Sequence, residues 1–220
     1  MRGRSDSGYG VHAMAAGGDL QLYDGTIFAN RLSSSDLALH SNDYVDVHLD
    51  DDSNSTSQLR VLNDADSAVF TVNENGDVSW QAQTGYVSVS AAAFRPQEDG
   101  YDFTNSGWRI MNINGSSDYY YAPVQLPHGA TVTRMTFHWY DTSSAVGNAY
   151  LRRSSMDATW NTMPNAITSG IGGAGSSFDD DILNATIDNS QYAYYLHWIL
   201  PGTTVHGYGV VIQYTYTGPH

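Results

Sequence analysis

The chain has 220 residues and a formal net charge of -14, with no Lys, nine Arg and only two Glu, Glu74 and Glu98, so nearly all of its negative charge is Asp. Such a surface repels phosphate backbones and excludes nucleic acid as a partner. Cys is absent, which removes disulfides and thiol chemistry, and no apolar run reaches the ~18 residues that a membrane-spanning helix needs.

Thr, Val, Tyr, Ser, Asn, Asp and Gly dominate over helix formers, the composition of short strands linked by tight turns, and the fold class expected is all-β. Residues 1–18 are rich in Gly, Ala and Ser without period and read as a flexible leader or an assembly arm. Arg2 and Arg4 occur there without an apolar h-region, so the segment does not read as a signal peptide.

From Asp19 a series of short segments alternates apolar and polar residues: 19–23, 36–40, 44–49, 58–62, 68–72 and 77–80. Asn and Gly favour the positive φ of tight hairpin turns, so Asn75-Gly76 joins the last two as a hairpin. Each strand offers few apolar side chains, and a thin core of this kind is most simply stabilised by other copies of the chain. The region 19–85 is therefore expected to be a β-rich stem, followed by a small-residue linker at 86–92 that still carries one alternating strand, 86–90.

From residue 93 to 220 the strands lengthen and aromatics become denser, the texture of an antiparallel β-sandwich head. Strands are expected near 94–95, 108–113, 119–124, 130–140, 148–153, within 154–167, at 182–187, and in a closing pair, 192–200 and 208–216, broken by Pro201-Gly202. In the strand 131–140, Met135, Phe137 and Trp139 share one face and are assigned to the core, whereas Val132, Arg134, Thr136, His138 and Tyr140 share the other. The run 170–177, GIGGAGSS, reads as a long surface loop.

Several constellations are candidates for chemistry. Asp50, Asp51, Asp52 and Asp179, Asp180, Asp181 supply hard oxygen ligands suited to Ca2+, and the second triplet is the candidate calcium site, against the alternative of solvated acidic turns. The eight His are scattered singly; His138 and His197 both fall within strands and could meet across a sheet. No GxSxG elbow, phosphate loop or dinucleotide fingerprint occurs, and the chain is not expected to be an enzyme. Tyr119, Tyr120, Trp160 and Tyr195, with His206, are the candidate ligand-binding residues. An aromatic face suits the C–H face of a sugar, but outward aromatics equally anchor subunit interfaces, and both readings stay open.

Residues 36–80 resemble the shaft sequences of phage tail fibres and bacterial surface fibres: Phe70, Val72, Gly76 and Val78 fill the pattern F-x-V-x-x-x-G-x-V. Residues 122–132, 187–196 and 208–214 resemble β-sandwich head modules that follow such shafts. The resemblance implies a homotrimer whose slender stem carries a jelly-roll-like head. Such a protein would be extracellular or virion-associated, bind a cell-surface glycan or protein, and need no cofactor. It supplies no catalytic residues. The loops around 141–148, 159–177 and 202–206 are the expected presenting elements. The alternatives are a self-assembling filament or particle subunit, and a polysaccharide-acting enzyme or free carbohydrate-binding module.

Overall fold

The computed structural model describes residues 47, 57–170 and 172–218. The leader, the expected strands at 19–23 and 36–40, all of 44–49 but residue 47, and Asp50 to Asp52 lie outside the described residues. The described strands all fall within one compact unit, His48–His220.

β1 (Gln58–Leu62), β2 (Ala68–Asn73) and β3 (Val78–Trp80) form a small antiparallel sheet in that order. The Asn75-Gly76 hairpin is present: Gly76 takes φ +84°, and the Asn73 side-chain oxygen accepts from the backbone N–H groups of Asn75 and Asp77 at 3.1 and 2.9 Å. β1 is exposed at every position, and among the described residues no second layer covers this sheet. Its link to the rest is local: the Trp80 N–H donates to the Thr217 carbonyl at 2.8 Å, and the Trp80 ring meets Tyr216 edge-on.

Two larger antiparallel sheets form a β-sandwich. β4 (Gln83–Ser90), β5 (Arg95–Pro96), β6 (Phe103–Asn105), β7 (Ile110–Asn112), β8 (Ser117–Val124), β9 (Thr131–Asp141) and β10 (Asn148–Ser155) precede β11 (Trp160–Ile167), β12 (Gly173–Asp179), β13 (Tyr192–Pro201) and β14 (Val205–Tyr216). One sheet runs β11-β10-β13-β8-β5, and the other β12-β9-β14-β7-β6, with β4 also paired to β14. Period-two alternation explains the layering: Ala149 and Leu151, Leu196, Trp198 and Leu200, and Tyr120, Ala122 and Val124 all turn inward from one sheet, to meet Met135, Phe137, Trp139, Val210 and Ile212 from the other.

Trp198 is the pivot of the core. Its ring stacks on Phe94 at 3.5 Å and tilts against Phe137 at 5.4 Å. It reaches the opposite sheet because position 207 is Gly: a Cβ there would stand 2.4 Å from the ring. Burying a side chain of this size contributes about 2–3 kcal/mol.

The structure differs from the sequence expectations at definable places. The closing pair is not a hairpin: β13 pairs with β10 and β8, β14 with β9, β4 and β7, and the Pro201-Gly202 break carries the chain from one sheet to the other. Residues 173–177 are no loop but β12, paired with β9. Glycine allows this, since a Cβ at Gly175 would lie 2.6 Å from the Trp139 ring, while Ser177 accepts from the Trp139 indole N–H at 3.0 Å. The strand expected at 86–90 is present within the longer β4, whose register runs from Gly209↔Ser90 to Tyr216↔Gln83. Met135, Phe137 and Trp139 do face the core, but Val132 joins them, because a register shift leaves Thr133 without a partner and inverts the alternation. The stretch 182–187 contributes only an isolated bridge, Thr131↔Thr186.

Candidate functional site

The outer face of the five-stranded sheet carries an aromatic surface assembled in rows. Where β8 turns Asp118, Tyr120, Ala122 and Val124 inward, Tyr119, Tyr121 and Pro123 must point outward. β13 likewise presents Tyr195, His197 and Ile199, and β10 presents Tyr150 and Arg152. Register then sets Tyr150, His197, Tyr121 and Arg95 side by side across four strands, with Arg152, Tyr195 and Pro123 in the next row.

His197 lies at the centre of these rings. Its imidazole stacks on Tyr121 at 4.6 Å and on Tyr119 and Tyr150 at 5.7 Å each, which leaves it 3% exposed although it faces away from the core. Neither ring nitrogen has a hydrogen-bond partner. Burial, and secondly the nearby Arg152 charge, push its pKa down from 6.5 to about 4, so the ring is neutral at physiological pH. The Tyr121 phenol is pushed up, chiefly by burial, and donates to Gln97 at 3.2 Å.

Arg152 is held by two aromatic faces, 4.8 Å above Tyr150 and 4.2 Å above Trp160. Contacts of this kind contribute about 0.5–2 kcal/mol each and fix the plane of the guanidinium. Trp160, 55% exposed on β11, forms one wall. Together with Arg95, Pro96, Tyr121, Pro123, Ala193 and Tyr195 these residues enclose a groove of about 800 Å³. Tyr195 meets Tyr121 edge-on at 5.8 Å along its floor. Among the described residues no Asp or Glu lines it, so they do not bring the opposed carboxylates of a glycosidase into this groove.

Of the five residues singled out from sequence, Tyr119, Tyr195 and Trp160 share this face. Tyr120 does not: it is fully buried, its hydroxyl donates to Asn112 Oδ1, and burial raises its pKa strongly. Alternation within three consecutive tyrosines sends the middle one to the core. His206 sits on the other sheet, stacked on Tyr140 at 5.0 Å. His138 and His197 likewise belong to different sheets and do not meet. Arg152, Arg95 and Tyr150 had not been singled out from sequence. The signal was present in the alternation of β10, where Tyr150 and Arg152 oppose Ala149 and Leu151.

The acidic triplet diverges. Asp179 accepts from the backbone N–H groups of Asn165 and Asp181 at 2.7 and 3.0 Å, and Asp180 pairs with Arg134 at 3.0 Å. Among the described residues no three His, Cys, Asp or Glu side chains gather in a metal-binding group. The loops 142–146 and 168–170 frame a separate cavity of about 480 Å³. Buried Asp141 organises that end, accepting from the Ser143 N–H at 2.9 Å and the Thr168 hydroxyl at 2.5 Å.

No protein-family model matches the sequence, and no curated protein does. Solved structures with a similar arrangement include the C-terminal family 6 carbohydrate-binding module of a marine laminarinase from Zobellia galactanivorans, at 8% identity and TM-score 0.41 over 58% of this chain and 98% of the other. A xylan-binding module of family 15 matches at 14% identity and TM-score 0.38 over 60% and 97%. A family 35 carbohydrate-binding module from Clostridium thermocellum matches at 11% identity and TM-score 0.36 over 58% and 97%. Likeness at this level transfers no residue and no ligand to this chain.

Proposed function

We propose that this chain is a non-catalytic carbohydrate-binding protein whose ligand lies in the groove on the outer face of the five-stranded sheet. The observation that carries the reading is the arrangement of Trp160, Tyr121 and Tyr195 around a groove of about 800 Å³ that no carboxylate of the described residues lines. Ring faces cover the apolar C–H side of a sugar, while phenol hydroxyls and a guanidinium orient its hydroxyls. The described residues of the groove supply no pair of carboxylates to act as nucleophile and general acid, so binding without turnover is the expected behaviour.

The test is a panel of soluble polysaccharides run by affinity electrophoresis and calorimetry, with Trp160→Ala and Tyr195→Ala beside the parent chain. Both variants should weaken binding at least about tenfold, the effect of losing one well-placed anchor, with an unchanged circular dichroism spectrum. Equal binding by the parent and both variants would place the ligand elsewhere.

A second reading, an adhesive fibre-type protein assembled as a homotrimer through its stem, is favoured by β1. Among the described residues β1 is an edge strand, with Leu59, Val61 and Leu62 between 42% and 53% exposed. An uncovered apolar edge is a template for another copy of the same chain. Three grooves on one particle would then turn a weak site into useful avidity on a glycan surface, outside the cell or on a virion.

A further inference from the structure

We propose that the glycan bound in this groove is anionic, a polysaccharide carrying carboxylate or sulfate groups on more than one sugar. The inference rests on the carbohydrate-binding reading and adds the class of sugar. Its basis is the placement of charge. In a chain of net charge -14, the groove lining among the described residues contains two arginines, Arg95 and Arg152, and no acid. The ion pairs of the described residues lie elsewhere, at Arg134–Asp180 and His128–Asp188.

Arg152 is oriented but not ion-paired. The Tyr150 and Trp160 faces hold its guanidinium, and no carboxylate of the described residues pairs with it. The planar fork of an arginine matches the paired oxygens of a carboxylate or sulfate, and such a charged acceptor holds it more strongly than a neutral sugar hydroxyl does.

Arg95 stands on β5, with β8 and β13 between it and β10, so three strand spacings of ~4.8 Å set the backbones of the two arginines about 14 Å apart across the sheet. Tyr121 and Tyr195 lie between them. Two cations so spaced across an aromatic floor fit a ligand that repeats its charge along a chain, rather than one with a single terminal charge. The acidic remainder of the surface repels polyanions and confines them to this groove.

Calorimetry of the whole chain with polygalacturonate, a sulfated galactan and a neutral galactan decides the matter. At least one acidic polymer should bind about tenfold or more tightly than the neutral one, and that preference should shrink between 50 and 500 mM NaCl as the charges are screened. Whichever acidic polymer wins identifies the group as carboxylate or sulfate. Arg152→Gln should lower acidic-glycan affinity about tenfold more than neutral-glycan affinity, the size expected for a charge-assisted hydrogen bond. Arg95→Gln, at an exposed position, should act in the same direction and serves if Arg152→Gln fails to fold. Equal affinity for acidic and neutral polymers, or a preference that survives both substitutions, overturns the proposal and leaves carbohydrate binding standing. Binding to none of the three also overturns the proposal, and the wider polysaccharide panel then decides carbohydrate binding.

Discussion

His197 offers a quantitative test of the aromatic face, through His197→Phe. In the folded chain the imidazole is roofed by Tyr119, Tyr121 and Tyr150 beside Arg152, with its pKa lowered to about 4 against 6.5 when unfolded. Between these values the unfolded chain binds a proton that the folded chain does not. The native state therefore keeps its full stability above pH 6.5 and loses it progressively down to about pH 4. At ~1.36 kcal/mol per pH unit the loss amounts to about 3 kcal/mol. For a chain of this size that is a fall of roughly 10 °C in melting temperature. Phe keeps the ring stacking and removes both the titration and the two unpartnered nitrogens, so at pH 7 the variant should be as stable as the parent or more so. The assay is urea unfolding of parent and variant from pH 7 to pH 4, with their difference plotted so that the carboxylates common to both cancel. The variant should gain about 3 kcal/mol on the parent across that range. Parallel curves would show that His197 is not buried as a neutral ring, and would remove the roof of tyrosines from the account.

Two further outcomes follow from packing and assembly. Gly207→Ala would drive a Cβ to 2.4 Å from the Trp198 ring between the sheets, and should lower stability by about 1–3 kcal/mol in urea; an unchanged midpoint would contradict the close approach. Leu59→Ser with Val61→Ser should reduce the mass measured by light scattering if copies associate through β1. An assembled parent whose mass does not change in the double variant would exclude that route, and a monomeric parent would exclude the trimer.

The parts of this fold that were legible in the sequence are those governed by local periodicity. Met135, Phe137 and Trp139 alternate cleanly and are buried, and Asn75-Gly76 makes the turn its chemistry demands. What escaped depends on partners distant in sequence. Gly175 reads as loop until Trp139 is known to lie against it, and then glycine is what lets the strand approach. Pro201-Gly202 breaks the chain as expected, but whether a break makes a hairpin or a crossover depends on which strands offer free edges, and β10, β8, β9 and β4 do so from far away. The site shows the same division. Outward rings on β8 and β13 follow from alternation, whereas the grouping of Arg152 with Trp160 and Tyr150 needs the β10–β11 pairing, and Tyr120 is identified as core only once the register of β8 is fixed.

The central claim, a glycan groove on the outer face of the five-stranded sheet, is tested most directly by mapping NMR chemical-shift changes on the isotopically labelled chain as a binding oligosaccharide is titrated in. The account predicts changes concentrated at Arg95, Tyr121, Arg152, Ala193 and Tyr195, together with the indole N–H of Trp160. Changes concentrated instead around residues 142–146 and 168–170, or on the outer face of the other sheet near Tyr208 and His138, would contradict it.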